Sequence, residues 1–287
     1  MEVEANPDAN SGTVLEPVED IRAALGGGLP AATRIEPRPD PGEPGADAGQ
    51  GPTEIPHRPV LRPSVPVLVV LDDGEQESGE VHRLRAGVTL IGRVEGQIQL
   101  PHDALVSSRH AEIVREGAGR SCRWLLRDLG SANGTFVRCG RSLLQPGSLL
   151  ILGSRRFRFQ PPSPPAGEAG PPAQPGRTLT IDMAVERAGW CPSLIETGHA
   201  QGGLELRLDR EELSLGRPGV DNRLAIDDPL LAAHHARIIR DAAGRWLIEA
   251  HPSRNGVWVQ VAAVYLTSRC WFQVGEQRFL FAVSGAA

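Results

Sequence analysis

The chain has 287 residues and no lysine; its 30 basic residues are all arginine. That absence excludes several chemistries. A Walker A phosphate loop needs its lysine to reach the nucleotide. A protein-kinase core needs its strand lysine, and a Schiff-base enzyme needs an amine nucleophile. Cysteine is scarce too. Cys122, Cys139, Cys191 and Cys270 form no C-x-x-C pair and no zinc spacing. Reduced, mostly buried thiols in a cytoplasmic protein are expected. No apolar run reaches the 18 residues of a membrane span, and the best, Val65–Leu71, contains Pro66. The N-terminal MEVEANPDAN is acidic and polar, unlike a secretory signal. No nucleophile–base set, metal motif or nucleotide loop is evident, so neither an enzyme nor a cofactor is expected.

The net charge of −5 is unevenly spread. Residues 1–60 hold 11 acidic and 4 basic groups, and the remainder is close to neutral. The basic footprint of a nucleic-acid binder is absent. Residues 1–64 carry 11 prolines and few large apolar side chains, so they cannot bury enough surface to offset ordering. They are expected to be a disordered acidic tail, apart from a short helical tendency at Val18–Leu25. Residues 161–177 hold seven prolines and read as a semi-rigid linker.

Two segments remain, 65–160 and 178–287. Both consist of short runs of strand length separated by glycine or Asx turns, which predicts an all-β fold of two antiparallel sandwiches. Expected strands include Val65–Leu71, Val81–Leu84, Thr135–Val137 and Leu149–Leu152 in the first segment. Leu179–Val185, Leu204–Leu208, Val257–Val261 and Phe279–Val283 are among those in the second. The segments also repeat one another. Gly92-Arg93 matches Gly216-Arg217, His110-Ala111 matches His235-Ala236, Arg123-Trp124-Leu125 matches Arg245-Trp246-Leu247, and Asn133-Gly134 matches Asn255-Gly256. A period of about 120 residues is domain duplication rather than a solenoid.

In the first copy an arginine, paired hydroxyls and an asparagine fall where strands meet loops: Arg93, Ser107-Ser108 and Asn133. The set suits a dianion held beside a peptide backbone. Arginine offers a planar fork to phosphate oxygens. Serine hydroxyls and loop N–H groups complete the shell, and an asparagine amide donates and accepts at once.

Gly-Arg, Ser-x-x-His and Asn-Gly on a strand-rich segment of this length resemble the forkhead-associated (FHA) domain family, over about residues 66–160 and again 178–284. The resemblance implies two FHA-type β-sandwiches in tandem, a fold that reads phosphothreonine through loops at one end. Carried over by position, Arg93, Ser107 and Ser108 contact the phosphate and Asn133 holds the peptide main chain. Gly92, His110 and Gly134 shape the loops. The second copy keeps Arg217 and Asn255 but has Ala232 and Ala233 where the first has Ser107 and Ser108. The first domain is therefore the expected reader and the second a degenerate copy. The expected function is a phosphothreonine-dependent adaptor in bacterial Ser/Thr kinase signalling. Its expected partners are phosphothreonine proteins, among them the kinase or its substrates, and its own tail phosphorylated at Thr13, Thr33 or Thr53. The alternative is a phosphate-independent scaffold.

Overall fold

The computed structural model describes residues 13–15, 65–117, 122–162, 191–198 and 203–283. The expected strand Leu179–Val185, the helical tendency at Val18–Leu25, nearly all of the linker, and Thr33 and Thr53 lie outside them. Twenty strands are formed and, among the described residues, no helix. A short strand β1 (Val14–Leu15) comes first. The first segment then supplies β2 (Val67–Leu71), β3 (Gly79–Arg83), β4 (Val88–Gly92), β5 (Ile98–Gln99), β6 (Ala111–Glu116), β7 (Arg123–Asp128), β8 (Thr135–Leu144), β9 (Leu149–Leu152) and β10 (Arg155–Gln160). The second supplies β11 (Ser193–Glu196), β12 (Glu205–Arg207), β13 (Glu212–Gly216), β14 (Leu224–Ala225), β15 (Ala236–Arg240) and β16 (Trp246–Ala250). It ends with β17 (Val257–Val261), β18 (Ala263–Tyr265), β19 (Arg269–Val274) and β20 (Gln277–Ala282).

The sandwiches are built by exchange. Sheet order β18-β7-β6-β4-β5 puts a strand of the second segment at the edge of the first. Its facing layer contains β3, β2, β20, β19 and the start of β8. The resulting core joins Leu68, Ile91, Ile113 and Leu126 to Cys270, Phe272, Val274, Phe279 and Phe281. The other sandwich mirrors this. Leu150, Leu152, Phe157 and Phe159 of the first segment pack among Leu194, Leu213, Leu215, Ile238 and Ile248. Each segment therefore completes the other's core. Strand pairing thus crosses between the expected segments 65–160 and 178–287.

The exchange has a local cause. A tight hairpin needs residues with positive φ, commonly Asn-Gly or Gly-Gly. At the point where β8 would turn back the sequence is Arg138-Cys139-Gly140-Arg141, and the chain runs on extended through Leu144. In the second copy Gln260-Val261-Ala262-Ala263 offers no turn residue at all, and β17 passes into β18. Both strands cross to the opposite sandwich instead of folding back. They pair antiparallel with one another, with Val137 opposite Val259. These two valines are equivalent in the repeat, so a pseudo-two-fold axis passes between them. Phe136, Trp258, Trp271, Ile151 and Leu280 form a third buried cluster where the sandwiches join.

Strand β1 pairs with Arg141 and Cys139 at the crossing of β8, Leu15 is buried there, and Thr13 Oγ1 lies 2.8 Å from Ser142 Oγ. Val14 and Leu15 of the expected disordered tail are thus part of the sheet, with Thr13 held beside it.

Candidate functional site

The loops after β4, before β6 and before β8 meet at one end of the first sandwich. Gly92 ends β4 with no room for a side chain, because a Cβ would strike the carbonyl oxygens of Ser108 and Glu95. That close approach lets Arg93 N–H donate to the Ser107 carbonyl at 2.9 Å and Glu95 N–H to that of Ser108 at 3.1 Å. Arg93 is exposed, and its guanidinium has no partner among the described residues. Ser107 Oγ accepts the Ala132 N–H at 3.1 Å. Its own hydrogen then remains to be donated outward. Ser108 and Arg109 are exposed beside it.

Asn133 Nδ2 donates to the Leu105 carbonyl at 2.8 Å, which ties the third loop to the second. One amide hydrogen and Oδ1 remain for a ligand. Gly134 follows with φ near 80°, a conformation open to glycine, and it packs against the Gln260 side chain from the second segment. Asp128 organises the loop between. Its Oδ1 accepts the N–H groups of Gly130 and Ser131, and its Oδ2 accepts the hydroxyls of Ser131 and Thr135, all within 2.9 Å.

His110 is fully buried beneath these loops. Its Nδ1 accepts the Ser107 N–H at 3.1 Å and its Nε2 lies 3.2 Å from the Gly134 carbonyl, which fixes the neutral Nε2–H form. Burial lowers its pKa below the ordinary 6.5, against the opposing pull of the Gly134 bond and of Asp128. Asp103, absent from the sequence expectations, accepts the Leu105 N–H with Oδ1 at 2.9 Å and the Glu276 N–H with Oδ2 at 2.7 Å. Glu276 belongs to the turn between β19 and β20. The exchanged hairpin therefore braces the loop before β6 directly.

An FHA domain family model matches residues 89–153 and 213–274. The chain is a tandem FHA-domain protein. Among solved structures it is similar to Mycobacterium tuberculosis EmbR in complex with a low-affinity phosphopeptide, at 31% identity over 34% of this chain and 24% of that one, with a TM-score of 0.22. The chain thus spans about a quarter of the length of EmbR. It is similar at 36% identity to an FHA domain from an analysis of phosphothreonine-dependent FHA domain interactions, over 32% and 92% of the two chains, with a TM-score of 0.22. It is also similar to the FhaA FHA domain complexed with the intracellular domain of Rv3910, at 36% identity over 32% and 94%, with a TM-score of 0.21. No match was found among curated protein sequences.

The second FHA domain repeats the scaffold of this site without its hydroxyls. Gly216 is as crowded as Gly92, here by the Ala233 carbonyl, and Arg217 N–H donates to the Ala232 carbonyl at 3.1 Å. His235 is again buried, accepting the Ala232 N–H at 3.2 Å and reaching the Gly256 carbonyl at 3.0 Å; burial lowers its pKa too. Asn255 Nδ2 donates to the Leu230 carbonyl at 2.8 Å. Asp228 takes the place of Asp103, accepting Ser154 N–H at 2.8 Å and Ser154 Oγ at 2.7 Å from the β9–β10 turn. Ala250 stands where the first domain has Asp128. Its loop is held instead by the buried Arg138 of β8, which donates to the carbonyls of Ser253 and Arg254.

Among the described residues no group of three or more His, Cys, Asp or Glu side chains could hold a metal ion, and no helix is long and apolar enough to cross a membrane.

Proposed function

We propose that the chain is a phosphothreonine-dependent adaptor whose first FHA domain is the reader, with Arg93, Ser107, Ser108 and Asn133 as its ligand-facing residues. One observation carries this reading. The Ser107 hydroxyl stands on a loop held by buried His110, and the Arg93 guanidinium, unpartnered among the described residues, stands on a loop tied to it by Arg93 N–H to the Ser107 carbonyl. Loops fixed before a ligand arrives lower the reorganisation that phosphate binding costs, and an arginine with no other partner is available to the phosphate oxygens. Ala232 and Ala233 deprive the second domain of two such donors. A lost hydrogen bond to a charged group is worth about 1.5–3 kcal/mol, roughly 10–150-fold in affinity. The partners this site suits are phosphothreonine proteins of a bacterial Ser/Thr kinase pathway in the cytoplasm, a kinase or its substrates included. No catalytic step is assigned to either domain. Thr13 lies beside β8 at Ser142, seven residues (roughly 24 Å) along the strand from the loop end, so it would have to leave this contact to act as a ligand.

The test is selection from a degenerate phosphothreonine peptide library by the full chain, with phosphoserine and unphosphorylated libraries beside it. Phosphothreonine-dependent retention is expected. Equal retention of the unphosphorylated library would replace this reading with a phosphate-independent scaffold.

A further inference from the structure

The recognition ends of the two FHA domains border one cleft of about 780 Å³. Leu105 reaches it from the first domain, and Pro229, Leu230 and Asn255 from the second. The two exchanged turns, at Gly153-Ser154 and Gly275-Glu276, form part of its wall, with Ile151 and Leu71 adding apolar surface. Leu105 and Leu230 are the residues whose carbonyls accept Asn133 and Asn255. The same asparagine–leucine pair therefore stands at both ends, and both leucines face the same space. Leu230 is 44% exposed there, an apolar side chain with nothing over it among the described residues.

We propose that this cleft seats the polypeptide flanking the phosphothreonine, so that the second FHA domain reads an unphosphorylated, apolar-anchored stretch of the same partner. The proposal rests on the first domain being the phosphothreonine reader. Three observations select this occupant. The cleft adjoins the first site through Leu105, which lines it and whose carbonyl accepts Asn133 Nδ2 at 2.8 Å. The second site keeps the asparagine that suits a peptide main chain and lacks the hydroxyls that suit phosphate. The lining mixes Arg156, Arg254 and Arg278 with Asp72, Asp73, Glu75 and Glu276, which suits ordinary polypeptide better than a second dianion. About twelve flanking residues extend roughly 40 Å, ample for one chain to engage both ends. Once the phosphothreonine is bound, the second contact is intramolecular, at millimolar effective concentration.

The test uses the full chain and calorimetric titration. The best binder from a short library, with three degenerate positions on each side of the phosphothreonine, is compared with the same core carrying twelve further degenerate residues on either side. Extended peptides on one side are expected to contain binders at least tenfold tighter, and Leu230→Asp should abolish that gain while the short peptide binds as before. Equal affinity of short and extended peptides would overturn the cleft proposal and leave the reader intact. So would a gain that survives Leu230→Asp. Failure of every phosphorylated peptide to bind the unaltered chain would instead overturn the reader itself, and this proposal with it.

Discussion

A single imidazole decides the shape of each recognition end. His110 and His235 each accept one loop N–H and donate to one loop carbonyl, and this arrangement exists only for the neutral ring. A proton on Nδ1 would set a donor against the Ser107 N–H. Burial lowers both pKa values, so as the pH falls through 6.5 the unfolded chain takes up protons on these two rings that the folded chain resists. Stability contributed by these residues is therefore complete above about pH 7 and falls as the pH drops through 6.5. Urea midpoints at pH 7.5, 6.5 and 5.5 should decline for the unaltered chain and decline less for His110→Gln. A flat profile in the unaltered chain would contradict the neutral staple. Cys270 offers a second check at this scale. Burial pushes its thiol up to about 12, and it has no exposed surface. At pH 8 a thiol reagent should modify Cys122 and Cys191, which are partly exposed, and spare Cys270 and Cys139 until the chain is unfolded.

At the scale of elements, most strands were legible from alternation and turn residues. Leu149–Leu152, Ala236–Arg240 and Val257–Val261 fall where the pattern predicts them. Ser193–Glu196 was missed because four residues after Cys191-Pro192 show no alternation. The pattern predicts a strand over Thr135–Val137, whereas β8 runs ten residues, Thr135–Leu144. The exchange itself was not legible for a physical reason. Period-two alternation says which face a residue occupies, not which copy supplies the neighbouring strand, and the two copies carry the same pattern. The one signal available was negative, the missing Asn-Gly at both hinges. Arg93, Ser107 and Asn133 were visible as a motif. Asp103 and Asp228 recur at the same spacing as Ser107 and Ala232, but their role appears only once the exchanged turns are in place.

The exchange carries a definite energetic consequence. Cys270, Phe272, Val274, Phe279 and Phe281 are fully buried in the first domain's core. At about 1.5–3 kcal/mol for each buried side chain their removal costs on the order of 10 kcal/mol, comparable to the whole stability of a domain. A protease site placed in the linker near residue 170 tests this. After cleavage the two pieces should co-elute in native size exclusion and separate only in denaturant. Separation in native buffer would show that each segment closes on itself. Replacing Val261-Ala262 and Cys139-Gly140 by Asn-Gly should favour closed hairpins and allow the cleaved pieces to part.

As a whole molecule the chain is a pseudo-symmetric pair in which only the first half carries the serine hydroxyls proposed to meet a phosphate. Duplication and exchange place both recognition ends beside one cleft, and each end is braced by a turn from the other segment. The geometry of each loop end is thus a property of the full chain rather than of a separable segment. The asymmetry lies in a few side chains: Ser107, Ser108 and Asp128 against Ala232, Ala233 and Ala250. The most direct measurement is calorimetric titration of one phosphothreonine peptide into the full chain and its Arg93→Ala and Arg217→Ala variants, with melting temperatures taken alongside. The account predicts one peptide per chain, affinity at least tenfold weaker in Arg93→Ala with an unchanged melting temperature, and little effect of Arg217→Ala. Two equivalent sites, or a loss confined to Arg217→Ala, would contradict it.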